Sequence, residues 1–190
     1  MYPELQALED QLDAAQRDAE AVVSGLGEER GRWRREAGSW SISECLDHLA
    51  ITNRVYLKAM RPAARHAREK GSKRRGPAVP GVVGGFFVKS LEPPVKPSRR
   101  GRAPRNIRPR TEPSLAEAFE CFLQSQDEVR VFLRENEELD LAKIGFRNPF
   151  VPVIRFSLAT GLHVIPAHER RHLWQAWRVR RGAEEVGDKA

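Results

Sequence analysis

Between positions 168 and 172 the chain reads His-Glu-Arg-Arg-His, and two residues four apart on a helix share a face, with Cβ atoms about 5–6 Å apart. Imidazoles so placed can share one divalent ion at about 2.0–2.1 Å. A third histidine, His48, stands far upstream beside another apolar stripe. Histidines that continue an apolar stripe are buried, and buried imidazoles need partners. Those partners are either hydrogen-bonding groups or a metal held on His48, His168 and His172, and spacing leaves both readings open.

The segment is also a literal H-E-x-x-H, the zinc-protease pattern in which the Glu serves as general base. Such patterns extend to a third ligand downstream, but no His occurs in the eighteen residues after His172, and position 178, where one pattern needs His, is Arg178. No strand pattern is available to hold an extended peptide. Glu169 is therefore assigned to a solvated helix face, with a role as base or ligand-holding group as the alternative. Gln175, three residues past His172, shares its side of the helix and is a second candidate for contacting a ligand or substrate. His163 points away from the pair on a regular helix, and His66 lies in a basic, solvated stretch.

Four amphipathic helices must position these groups. Leu5, Leu8, Leu12, Ala15, Ala19, Val22 and Leu26 recur at three- and four-residue steps, a first helix closed by Gly25 and Gly27. After a loop through Trp33 and Gly38, Ser41-Ile-Ser-Glu44 is a capping box that opens a second helix, with Cys45, Leu46, Leu49, Tyr56 and Met60 on its stripe and Pro62 stopping it there or soon after. Trp40 staples that helix to its neighbour. Ser114-Leu-Ala-Glu117 is a second box, and Leu115, Phe119, Phe122, Val129, Phe132 and Leu133 follow on a third helix. After a loop from Gly145 to Pro152, a fourth carries Leu158, Leu162, Ile165, His168, His172 and Val179, with Pro166 either kinking or restarting it. Trp174 and Trp177 pack outside or at a dimer contact. No alternating strand pattern or repeat is present. The fold class is all-α, a four-helix bundle over residues 1–181 with a flexible polar tail at 182–190.

Between the second and third helices lies a long connector, 62–113, with nine of the thirteen prolines. Only Gly81–Leu91 can pack, as a short helix or a strap, so the connector is partly ordered. Residues 61–110 hold fifteen Lys or Arg against Glu69 and Glu92, a local charge of +13 in a chain of +7, which leaves −6 elsewhere. A binding module is one alternative reading, with Arg99 to Arg110 on phosphates. That stretch has no aromatic residue to stack on bases, so a nucleic-acid partner is not expected. The apolar runs are too short to span a bilayer, and Cys45 and Cys121 are too few for a disulfide scaffold. The expected home is the cytoplasm, without a membrane partner.

Trp40-Ser-Ile-Ser-Glu-Cys-Leu-Asp-His48-Leu and Ala167-His-Glu-Arg-Arg-His172-Leu-Trp-Gln-Ala-Trp-Arg-Val resemble the two signatures of the DinB/YfiT-like superfamily, and Leu91-Glu-Pro-Pro94 resembles its connector. The resemblance covers nearly the whole chain. It implies a four-helix bundle, often dimeric, in which one His of the second helix and an H-x-x-x-H pair of the last bind one divalent metal. Position by position these become His48, His168 and His172. Zinc or nickel is expected, with manganese or iron as alternatives. Three ligands leave a coordination position for water or substrate. Characterised members include transferases that join low-molecular-weight thiols to electrophiles and a thiol-dependent isomerase. The implied function is thus metal-dependent thiol transfer to a small-molecule substrate, with such a thiol as co-substrate. Hydrolysis with metal-activated water is the alternative.

Overall fold

A computed structural model describes residues 2–94, 103–151 and 153–187. The four expected long helices are α1 (Pro3–Val23), α3 (Ile42–Glu69), α5 (Leu115–Glu135) and α6 (Leu158–Gly187). Two short ones join them, α2 (Glu28–Arg32) and α4 (Val82–Leu91), with a 3-10 turn at Arg105–Ile107. The stripe of α1 from Leu5 to Val22 is buried as its periodicity predicts. The protein is an all-α bundle.

The start of α3 follows its sequence closely: the Ser41 side chain accepts from the Glu44 N–H, and Glu44 accepts the Ser41 N–H at 2.9 Å. The second box closes only on one side. Ser114 accepts from the Glu117 N–H, but the next N–H groups of α5, on Leu115 and Ala116, donate to Glu28 at 2.8 and 3.1 Å. This explains why α2 replaces the expected loop, since it presents a carboxylate to the positive end of α5.

Neither proline ends its helix. Pro62 sits on an exposed face of α3, where the Lys58 carbonyl that its missing N–H leaves unpaired can reach water, and the helix runs on to Glu69. Pro166 lies within an unbroken α6. That helix also extends past residue 181, correcting the expected tail. Ala183 is buried, Arg180 pairs with Glu184 at 2.9 Å, and Gly182 lies so close to Trp33 that a Cβ there would stand 3.2 Å from the indole. Residues 188–190 of that tail lie outside the described residues.

The loop before α6 contains a small antiparallel hairpin, β1 (Gly145–Arg147) and β2 (Arg155–Ser157), which pairs Phe146 with Phe156 and buries both. Three-residue strands are too short to show an alternating pattern. Gly161 is required where α6 crosses α3, because a Cβ would meet Met60 Sδ at 2.6 Å and Phe146 at 2.9 Å.

The connector is tied to the bundle at several points. The stretch Gly81–Leu91 takes its helical option, and α4 packs on α6 with Gly84 against Thr160. Arg74 pairs with Glu4 and covers the Tyr2 ring, Glu92 pairs with Arg170, and Arg110 pairs with Asp47. Of the arginines weighed as phosphate contacts, Arg99, Arg100 and Arg102 lie outside the described residues. No described helix is long and apolar enough to cross a membrane.

Apolar side chains form two clusters. One gathers Leu5, Leu8, Tyr56, Met60, Leu133 and Leu162, and the other Ala15, Ile42, Leu49, Phe122 and Leu173. Asn53, Gln126 and Glu169 stand between them in sequence on α3, α5 and α6, a polar layer inside the bundle.

Candidate metal centre

The buried half of α3 and the middle of α6 bring His48, His168 and His172 together. Their rings lie 4.5–5.1 Å apart between centroids, and one ligand nitrogen from each falls within 4.8 Å of the others. His48 is 1% exposed, His172 is buried and His168 partly so.

Hydrogen bonds indicate which nitrogen two of the three rings can offer. His48 Nδ1 lies 2.6 Å from the Ile107 carbonyl, which can only accept, so Nδ1 carries the proton and Nε2 keeps its lone pair. His172 Nδ1 faces Gln175 Oε1 at 3.1 Å, which has the same effect. Gln175 thus reaches the site by holding a candidate ligand. His168 Nδ1 is buried with no partner, and its Nε2 faces His48 Nε2 at 3.4 Å. Two nitrogens about 2.0–2.1 Å from one tetrahedral ion stand about 3.3–3.4 Å apart, so this gap suits a shared metal.

Burial also prepares the charge state. Desolvation lowers His48 to about 4, despite the opposing pull of the Ile107 carbonyl and Asp47. His168 and His172 are held well below the ordinary imidazole range by desolvation and then by their neighbours' charge. Three neutral imidazoles at neutral pH are the protonation state a metal needs.

Trp40 was expected to serve only as a staple. Its ring lies 4.6 Å from that of His48 and 5.6 Å from that of His172, walling one side of the cluster. Its position in the capping motif, just before the cap, was the available signal. The Ile107 carbonyl had none, since any residue supplies a carbonyl and the turn lies in an aperiodic connector. His163 bonds the Ala159 carbonyl of its own helix at 2.9 Å, and His66 is exposed beside Glu69; neither joins the cluster.

Glu169 departs most from expectation. It is fully buried rather than solvated, and both carboxylate oxygens are occupied, one by Asn53 Nδ2 at 2.8 Å and the other by Gln126 Nε2 at 3.0 Å. Arg130 donates to Gln126 Oε1 at 3.2 Å and to Asp13 at 2.8 Å, so the chain of contacts links α6, α3, α5 and α1. Burial, opposed by the two amides, pushes the Glu169 carboxyl up to about 7. Its oxygens are engaged in the bundle's interior brace.

A helical bundle with three convergent neutral imidazoles is the class of protein that this fold and site define. The family model described as the DinB superfamily matches residues 11–176, and the chain belongs to that superfamily. No curated protein and no solved structure matches it.

Proposed function

We propose that the protein is a divalent-metal-dependent enzyme that transfers a low-molecular-weight thiol to a small electrophilic substrate. The observation that carries this reading is the convergence of three imidazole nitrogens and no fourth protein ligand among the described residues. Three-ligand sites retain a position for an exogenous group, whereas structural sites close with four. A divalent ion held there lowers the pKa of a thiol that binds it and so supplies a thiolate at neutral pH. Imidazole ligands suit zinc and nickel, with iron and manganese as alternatives.

The chain's own residues supply the setting. Ile107 and Gln175 orient His48 and His172, and Trp40 provides an apolar wall that limits water. Of the two cysteines, Cys45 is completely buried and desolvation holds it protonated, and neither belongs to the three-histidine cluster among the described residues. In this reading the nucleophile enters from outside. Both cysteines are free, which supports placement in a reducing cytoplasm.

The test loads the purified protein with zinc or nickel and follows loss of free thiol from cysteine-based small thiols mixed with epoxides, alkyl halides or enones. Thiol consumption that requires the metal and disappears in His48→Ala is the expected result. A fully loaded protein that consumes no thiol above background overturns the transferase reading, and ester hydrolysis by that sample without thiol would establish the hydrolase in its place.

A further inference from the structure

Two consecutive residues of α3 grip the far end of the connector. Asp47, 2% exposed, accepts the Arg110 backbone N–H at 2.7 Å and Arg110 Nε at 2.9 Å, while His48 donates through Nδ1 to the Ile107 carbonyl. The other ties of the turn at Arg105–Ile107 are mostly local. Its backbone bonds run 3.1 Å from the Ile107 N–H to Pro104 and 3.4 Å from the Arg108 N–H to Arg105, Arg108 Nε donates to the Ala103 carbonyl at 3.2 Å, and of its three side chains only Ile107 is buried. A buried carboxylate is costly unless charge-assisted hydrogen bonds compensate it, and among the described residues those bonds run to Arg110.

We infer that Asp47 is a positioning residue for the metal centre: by clamping Arg110 it seats the Ile107 carbonyl on His48 Nδ1 and thereby fixes the tautomer that presents Nε2. The inference rests on the three-histidine reading of the site. Without the clamp the turn detaches, the carbonyl leaves, and His48 is free to rotate or to place its proton on Nε2, where it blocks a metal. Linkage makes the effect reciprocal, so a metal on His48 favours the docked turn as much as the docked turn favours the metal.

The experiment titrates zinc into the native protein, Asp47→Ala and Arg110→Gln against a chromophoric chelator. The His48 tautomer is read from its ring 15N shifts without metal, and helicity is checked by circular dichroism. Loss of such outer contacts typically weakens metal binding about 10–100-fold. Asp47→Ala should fall in that range and lose the pure Nδ1–H signature, and Arg110→Gln, which keeps its backbone N–H, should lose less. Zinc should slow tryptic cleavage after Arg105 in the native protein. Folded Asp47→Ala with native zinc affinity and native His48 shifts overturns the clamp and leaves the metal site standing. If Asp47→Ala fails to fold, Arg110→Gln decides, because its side chain is 51% exposed and native affinity there overturns the role equally. A native protein that takes up neither zinc, nickel nor manganese defeats the three-histidine reading and this role with it.

Discussion

His48 and His168 stand 120 residues apart in the chain, yet their Nε2 atoms are 3.4 Å apart in the fold. Neither helix alone can create that pair. It depends on the α3–α6 crossing, which is close because Gly161 lets Met60 and Phe146 approach the α6 backbone.

Gly161→Val should therefore be costly. A Cβ at this position overlaps Met60 Sδ and the Phe146 ring, and overpacking of this kind costs roughly 1–3 kcal/mol. Thermal unfolding should show a drop of several degrees, and metal affinity should fall as the helices separate. Native stability would show that the crossing tolerates more space than its geometry indicates.

Glu169→Ala should destabilise without removing metal. The change leaves the Asn53 and Gln126 amides without their acceptor in the interior, a penalty of about 1–3 kcal/mol for each unsatisfied group, while the three imidazoles keep their contacts. Chemical denaturation should report lower stability, and elemental analysis of the folded fraction should still give one metal. Loss of metal at unchanged stability would place the carboxylate in the centre instead.

Glu44→Gln tests the cap of α3 through its pH dependence. Burial, the largest single influence on Glu44, pushes its carboxyl up, but the Arg34 pair and the Ser41 contacts outweigh it and the net shift is downward. A folded pKa below the unfolded one gives stability that is present above the unfolded value and is lost as pH falls through the folded value. The variant should be less stable than the native protein by about 1 kcal/mol at pH 7, with the gap shrinking below pH 4 or so. Melting curves across that range check the trend, and a gap constant with pH contradicts it.

Periodicity in the sequence reveals burial wherever one face of a helix decides it. The stripes of α1 and α5 and all three histidines were legible that way. The same logic failed for Glu169, one residue past His168, because α6 is enclosed by α1, α3 and α4 and its second face also enters the interior, where Asn53 and Gln126 await the carboxylate. Proline as a stop failed at Pro62 because the freed carbonyl faces solvent, and α2 stayed hidden because its purpose, capping α5 through Glu28, lies about ninety residues downstream. Trp40 and Ile107 reach the histidines from segments without period, so only the assembled fold could show them.

Metal content measured on purified protein, with His48→Ala and His172→Ala beside it and a chelator-treated sample reloaded with zinc, nickel or manganese, tests the central claim most directly. About one equivalent in the native protein, absent from both variants while their helicity is retained, is the predicted result. A native protein that holds no metal even after reloading would contradict it, and would make His48, His168 and His172 core residues whose hydrogen bonds serve only the fold.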